Sequence, residues 1–446
     1  MSEIMGLAPF YYTSNQKFIV ANDDTVKVDM LLYDPGTGIF TPQGLNKSQG
    51  FKYEFATYLD GLFCVNHADF PMFYNGSSWS TVTNVTNAPK AKYVIPYLDR
   101  LYLLNVDIGG IEHTSRVVSS SLPDTNYNIT WDTSDIGNYF DVMPRDGDEI
   151  TGAGKNFNRL LIFKEESLWK YDTNTLSQVT GAPGTNNNRT IQNVSNITIY
   201  FHKTGVQGFD GTNVANISRD IQPIIDGVIS TELGKMCSYV DGNNYYIYFG
   251  NIYNAVDKII IDKCMGVYDA SKNRWRLKSF QHEPTIFGKY RDDRSDMTYD
   301  DPTIDYNSVD KSYDGIISAN DYIFFGTSNG KIFKIDKSVS TQDSNKIRAY
   351  LETTNYYPNG VQGRSQFQAL KFYMESAKRI RLSYSIDDGP WLPIIKYSQN
   401  KNEIYYQFKH NIIGNKIKFK MSENGIGERV KIYGIDVFYT QQTNIV

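Results

Sequence analysis

Six times in this chain an Asp or Asn turn is followed at once by a short run of large apolar residues. The runs are Asp60-Gly61-Leu62-Phe63-Cys64-Val65, Asp99-Arg100-Leu101-Tyr102-Leu103-Leu104, Asn158-Arg159-Leu160-Leu161-Ile162-Phe163, Asn196-Ile197-Thr198-Ile199-Tyr200-Phe201, Asn243-Asn244-Tyr245-Tyr246-Ile247-Tyr248 and Asn320-Asp321-Tyr322-Ile323-Phe324-Phe325. Turn residues bounding short runs of this kind mark strands, and their repetition predicts an all-β fold. A second strand follows most runs, as in PMFYNGSSWSTV (71 to 82), SLWKYDTNT (167 to 175), GVQGFDGTN (205 to 213), MGVYDASKNRWRL (265 to 277) and GKIFKID (330 to 336). An amino-terminal pair, KFIVAND and MLLYDPGTGIF, belongs to the same series. Most spacings fall near the roughly 40 to 50 residues of a four-stranded propeller blade. The pattern predicts a β-propeller of six or seven degenerate blades; a series of β-sandwiches is the alternative.

Composition agrees with twisted strands and tight turns. Aromatic residues make up 14% of the 446, with 34 Tyr and 24 Phe. Such side chains suit a pleated, half-buried surface, and Gly and Asn accept the positive φ of turns. One helical turn or short helix is expected at SRDIQPIIDGVIS (218 to 230), with Ser218 as its cap and Pro223 and Gly227 keeping it short.

Two long loops interrupt the repeat, at 105 to 137 and at 290 to 315, the second carrying eight Asp and no Glu. Long loops in compact domains are commonly functional. Past residue 340 the repeat stops. A second domain, 345 to 446, follows the propeller of 1 to 340, with alternating segments QALKFYME, RIRLSYSID, NEIYYQFKH, NKIKFKMSE and VKIYGIDVFYT. Five evenly spaced strands predict a β-sandwich of jelly-roll type. Its 15 Lys and Arg against 8 Asp and Glu give +7, leaving −11 on residues 1 to 344. An acidic body with a basic end domain suggests docking between parts or copies.

The residues that could carry chemistry do not combine into a signature. Gly152-Ala153-Gly154-Lys155 resembles a phosphate loop, but Glu149 stands where the first glycine belongs and Asn156 where the hydroxyl belongs. The segment is expected to be a turn before the strand Leu160 to Phe163. Ser385-Ile386-Asp387-Asp388-Gly389-Pro390-Trp391 is one residue short of the Asp-box hairpin and also reads as a turn. His67, His113, His202, His282 and His410 lack metal-ligand spacing, and Cys64, Cys237 and Cys264 lack CxxC spacing. No metal or cofactor is expected. Asp305-Tyr306-Asn307-Ser308-Val309 breaks the alternation of a calcium loop. Carboxylates for glycoside hydrolysis would come from distant strands, and no pair is singled out. The Lys and Arg residues of KIKFK and RIRLSY read as ordinary surface alternation. MSEIMGLAPFYYTSNQ has neither a basic n-region nor an apolar h-region, so a soluble protein without a secretion signal or membrane insertion is expected.

The run DVMPRDGDEITGAGKNFNRLLIFKEESLWKYD, followed by RTIQNVSNITIYFHKTGVQGFDGTNVANISRDIQPIIDGV and by YVDGNNYYIYFG with CMGVYDASKNRWRL, resembles a recurring pattern of bacteriophage tail and neck structural proteins. The likeness covers about 140 to 277. It is similar to the β-propeller proteins that close the neck or form the nozzle of short-tailed phages.

This resemblance implies a structural virion protein without catalysis, made in the host cytoplasm and placed in the tail as a homo-oligomeric ring. Its implied partners are other tail or neck proteins and genomic DNA, which passes through the lumen without specific binding. An acidic body suits that role, because it repels phosphate. The loop carrying Asp292, Asp293, Asp296, Asp300, Asp301 and Asp305 is then a candidate gate or subunit contact. Two other functions fit the same fold. One is a carbohydrate- or receptor-binding propeller with Trp79, Trp131 and Trp391 as exposed stacking platforms, and the other is a propeller glycosidase.

Overall fold

The protein is described by a computed structural model covering residues 3–12, 15–24, 26–34, 38–81, 88–124, 129–172, 175–254, 259–292, 320–335, 341–342, 345–346, 349–375, 380–395, 403–423 and 431–442. It is all-β, built from many small antiparallel sheets. The chain divides into two compact units, Met1–Ile335 and Asp336–Val446.

The first unit contains seven sheets among the described residues, each a meander whose strands pair in chain order. Sheet one is Glu3–Tyr12, Asn15–Asp23, Val28–Asp34 and Ile39–Pro42; sheet two is Glu54–Tyr58, Gly61–Val65, Met72–Tyr74 and Trp79–Thr81. Sheet three is Lys90–Tyr97, Arg100–Ile108, Ile111–Ser119 and Tyr139–Asp141; sheet four is Ile150–Asn156, Arg159–Lys164, Leu168–Asp172 and Thr175–Gln178. Sheet five is Gln192–Val194, Ile197–His202, Gly205–Phe209 and Val214–Asn216; sheet six is Cys237–Asp241, Asn244–Asn254, Ile259–Asp269 and Arg274–Ser279. Sheet seven has three strands, Pro284–Asp292, Asn320–Thr327 and Ile332–Ile335.

The apolar runs that announced the repeat are the second strands. They read as continuous because both of their faces are buried. In sheet four, Leu160 and Ile162 pack with Leu104 and Val117 of sheet three, while Leu161 and Phe163 pack with Tyr200 and Phe209 of sheet five. Sheet three divides in the same way: Leu101 and Leu103 join Phe63 and Val65 of sheet two, and Tyr102 and Leu104 face sheet four. One such core lies between each pair of consecutive sheets, and Ile4 and Phe18 of sheet one share another with Ile286 and Tyr290 of sheet seven. The first strands touch in the same succession, with that of sheet seven against that of sheet one. Each fully buried Leu, Ile or Phe in these layers contributes about 1.5–3 kcal/mol, so the inter-sheet cores dominate the stability of the unit.

Several expectations are corrected. Gly152 and Gly154 of GDEITGAGKNF lie within a strand, Ile150–Asn156, and the turn falls at Phe157-Asn158. A Cβ on Gly152 would come within 2.7 Å of Ile191 Cδ1, and one on Gly154 within 3.1 Å of Ile191 Cγ2. Gly152 and Gly154 therefore serve close packing against the segment that leads into the next sheet rather than chain reversal. Residues 105 to 137 are not a single excursion, because Ile108 and Ile111 close a hairpin and Ile111–Ser119 is the third strand of sheet three. Only the stretch after Ser119 leaves the sheet, and it brings Ile129 and Trp131 into the core between sheets two and three. The helical turn expected at 218 to 230 is present, as a 3₁₀ turn, Arg219–Ile221, and one α-turn, Gln222–Ile225, but its cap is not. Ser218 does not cap it; its hydroxyl instead accepts from Val206 N at 2.9 Å and bonds Asn216 Oδ1.

The second unit contains two main sheets. One orders its strands Ala349–Glu352, Ile417–Glu423, Ile380–Ile386 and Leu392–Ile395, and the other Glu403–Gly414, Ser365–Glu375 and Lys431–Gln441. Their alternate residues share one core: Leu370, Phe372, Ile404 and Phe408 from the second meet Leu382, Tyr384, Ile417 and Phe419 from the first. At the near-match to the Asp-box, Asp387 and Asp388 take positive φ (49° and 59°) and the Ser385 hydroxyl donates to Gly389 O at 2.7 Å, a turn as expected.

Candidate functional site

The centre of the first unit, where the first strands converge, is occupied by one polar segment. It is Thr185-Asn186-Asn187-Asn188-Arg189-Thr190, which runs from sheet four to sheet five and forms a 3₁₀ turn at Asn188–Thr190. Polar side chains suit the place because the first strands present backbone groups there that are otherwise unpaired. Arg189 donates through Nη1 to Thr285 O at 2.9 Å in sheet seven and through Nη2 to Met5 O in sheet one. Its Nε lies 3.4 Å from Glu54 Oε1 in sheet two, and its carbonyl accepts from Ser238 Oγ of sheet six at 2.8 Å. Asn188 joins the Glu54 carboxylate at 3.1 Å and accepts from Ala153 N of sheet four at 3.0 Å. Asn187 donates to Met236 O at 2.8 Å. Thr185 Oγ1 donates to Phe201 O of sheet five at 2.7 Å, so one knot ties six of the seven sheets directly, with fixed donors that suit a fork-shaped guanidinium at its centre.

The Arg189 and Glu54 side chains are 6% and 17% exposed, so this is a largely desolvated ion pair held by additional hydrogen bonds. A cavity of about 310 Å³ adjoins it, lined among others by Tyr53, Gln192, Cys237, Ile286 and Phe287. At its side Lys52, whose Nζ reaches Asn187 Oδ1 at 3.4 Å and Gly234 O, has its pKa pushed down to about 8, by burial first and by Arg189 second. Burial pushes Glu3 in the opposite direction, above the usual carboxylate range. Each shift favours the neutral form, as expected where water is scarce.

A second constellation sits beside sheet four. Lys164, fully buried, donates to Val142 O at 3.1 Å, Met143 O at 3.2 Å and Asp146 Oδ1 at 2.6 Å. Asp148 accepts from the backbone amides of Glu165 and Glu166 at 2.9 and 3.1 Å. The DGD and FKE segments quoted above are therefore partners in one turn. Burial raises the Asp146 carboxyl, but Lys164 and backbone donors outweigh it and hold it below its ordinary range.

The candidate residues are not brought together. Trp131 is 1% exposed and packs 6.5 Å from Phe63, so it offers no stacking platform; an exposed Trp131 is corrected to a core residue. Trp79 is half-buried against Tyr74. Trp391, also half-buried, lies beneath the ammonium groups of Lys418 and Lys420 at 5.1 and 5.5 Å. Asp292 ends the first strand of sheet seven, while Asp293, Asp296, Asp300, Asp301 and Asp305 lie outside the described residues, as does most of 290 to 315. Lys155 is a strand residue whose pKa is lowered by burial. Among the described residues no three His, Cys, Asp or Glu side chains are grouped to hold a metal, and no helix is long and apolar enough to cross a membrane. No protein-family model matches the chain, and no curated protein matches its sequence.

Sequence reasoning missed Arg189. Its local signal is the run of three Asn and one Arg between two Thr, too polar for a strand edge and too short for a loop of its own. Only the convergence of distant strands gives those donors their acceptors.

Proposed function

We propose that the chain is a structural virion protein of a phage tail, a seven-bladed β-propeller followed by a β-sandwich, acting through assembly rather than catalysis. The observation that carries this reading is the succession of seven inter-sheet cores, in which each sheet shares one core with the sheet before it and one with the sheet after it. A propeller of degenerate blades is the architecture expected from such a series, and the resemblance over 140 to 277 attaches it to tail and neck proteins. The axis of the first unit carries the Arg189 knot, so a lumen for DNA is one that several copies enclose between them. The −11 of residues 1 to 344 suits walls past which phosphate moves without adhering. Neighbouring tail proteins and further copies are the partners, and the tail of the virion is the location.

The experiment is negative-stain microscopy of the purified full chain together with antibody labelling of intact virions. Discrete rings and label on the tail support the reading; a monomer and unlabelled particles overturn it. Trp391 beside Lys418 and Lys420 favours a second reading, host attachment through glycans, since an aromatic face next to donors suits a sugar ring. Retention of the monomer on a glycan array, lost with Trp391→Ala, would support that alternative. Turnover of a chromogenic glycoside would favour the glycosidase instead.

A further inference from the structure

In sheets two, three and four the turns joining first to second strands carry large apolar residues where the backbone disfavours them. At Leu59-Asp60 both residues have positive φ (50° and 53°), and so do both at Leu98-Asp99 (43° and 56°); Phe157 takes 50°. Positive φ is tolerated by Gly, Asn and Asp, and is costly for bulky side chains. Leu98 and Phe157 are also 51% and 67% exposed. Neither the turn nor the core accounts for a side chain that is both strained and solvated.

These turns are fastened to one another. The Tyr58 hydroxyl donates to Asp99 O at 2.7 Å, Tyr97 to Asn158 O at 2.8 Å, and Asn156 Nδ2 to Asn196 O at 3.2 Å. In each bond the residue preceding one turn holds the carbonyl at the next turn, so the apolar tips of sheets two, three and four are set side by side. Beside Phe157 a hollow of about 290 Å³ opens, walled by Arg159, Asp172, Asp210 and Thr212. Arg159 braces it by donating to Gly211 O at 2.8 Å. The surface therefore combines rigid apolar knobs with the carboxylates of Asp60, Asp99 and Asp210, and with Asp172, which pairs with Arg159 at 3.7 Å.

We propose that this face, centred on Leu98 and Phe157, docks the basic carboxy-terminal unit of a second copy of the chain. The proposal rests on the reading of the protein as a homo-oligomer and names the surfaces that would meet. Two such faces would oppose like charges, which argues against a face-to-face dimer. The complementary surface is on the same chain: residues 345 to 446 carry +7, with Lys418 and Lys420 flanking the Trp391 ring. A knob-and-carboxylate face meeting an ammonium-and-aromatic face joins copies head to tail, the heterologous arrangement that makes a ring when the rotation between copies closes.

Sedimentation equilibrium of the full chain tests this, comparing wild type with Leu98→Asn/Phe157→Asn and with Lys420→Glu, at about 0.05 M and about 0.5 M salt. Asn accepts positive φ, so the double variant should keep or raise its unfolding temperature while its self-association weakens about tenfold or more. Lys420→Glu and high salt should weaken association too. A folded double variant that associates like wild type overturns the surface and leaves ring assembly standing. Weakening by the double variant but not by Lys420→Glu or by salt overturns the assignment of the basic unit as the occupant. A wild type that remains monomeric at about 100 µM overturns both this proposal and the ring.

Discussion

Arg189 illustrates what a single side chain does in this molecule. Its guanidinium closes contacts with strands more than 90 residues away in either direction, and its partner Glu54 has little water to fall back on. Removing one member of such a pair strands the other, so Arg189→Leu is expected to lower the unfolding free energy by about 3–5 kcal/mol. Urea denaturation measures it, and adding Glu54→Gln should recover part of the loss. Lys52 works in the opposite sense, since its lowered pKa means that the folded protein resists its charge. Between pH 8 and about 10.4 the unfolded chain holds the Lys52 proton that the folded chain has released, so this residue adds stability as pH rises through that window.

Within the elements, glycine positions decide how closely sheets and loops approach. A Cβ on Gly184 would lie 1.8 Å from Lys164 O and 2.7 Å from Ser167 O, both of them backbone atoms that cannot swing aside. Gly184→Ala is expected to cost about 3 kcal/mol, read as a lowered urea midpoint with an unchanged slope. Lys155→Ala tests the phosphate-loop alternative. The side chain stands on a strand and its charge is disfavoured by burial, so stability should move by less than about 1 kcal/mol and no nucleotide hydrolysis should be present to lose. The strands were legible where their apolar runs were continuous, as at Leu160 to Phe163, because burial on both faces leaves no polar position in the run. The GAGK strand was not legible, because its glycines are selected by Ile191 and Asn188, which lie far along the sequence. The third strand Ile111–Ser119 was hidden for a similar reason: half of its residues reach solvent, so its sequence, IEHTSRVVS, reads as loop until Val117 and Val118 are seen in the core.

Across the whole molecule, the layered cores bury groups that titrate in alkali. Burial pushes the thiols of Cys237 and Cys264 up to about 12 and that of Cys64 well above the ordinary thiol range, while Tyr53, Tyr93 and Tyr245 are raised above the ordinary phenol range by burial in the same way. Their contribution is complete below the unfolded pKa values, about 8.5 for Cys and about 10 for Tyr, and is lost as pH rises beyond them. Stability should therefore fall progressively above about pH 9, as followed by denaturation at successive pH values. Lys52→Met should make that fall steeper, because it removes an opposing contribution, the larger of those from Lys52 and Lys155, whose charge burial disfavours. Seven sheets joined through shared cores should also unfold together, since no sheet of the first unit has a core of its own.

The sequence by itself determined the strand-and-turn repeat, the all-β class and the change of pattern and charge near residue 340, because these rest on local periodicity and on composition. The tertiary structure alone decided which residues meet. It placed Trp131 in a core rather than on a surface, made a strand of the GAGK segment, and gave Arg189 its acceptors on sheets one, two and seven. These outcomes depend on contacts between residues distant in the chain, and periodicity within one strand carries no information about which neighbour lies against it.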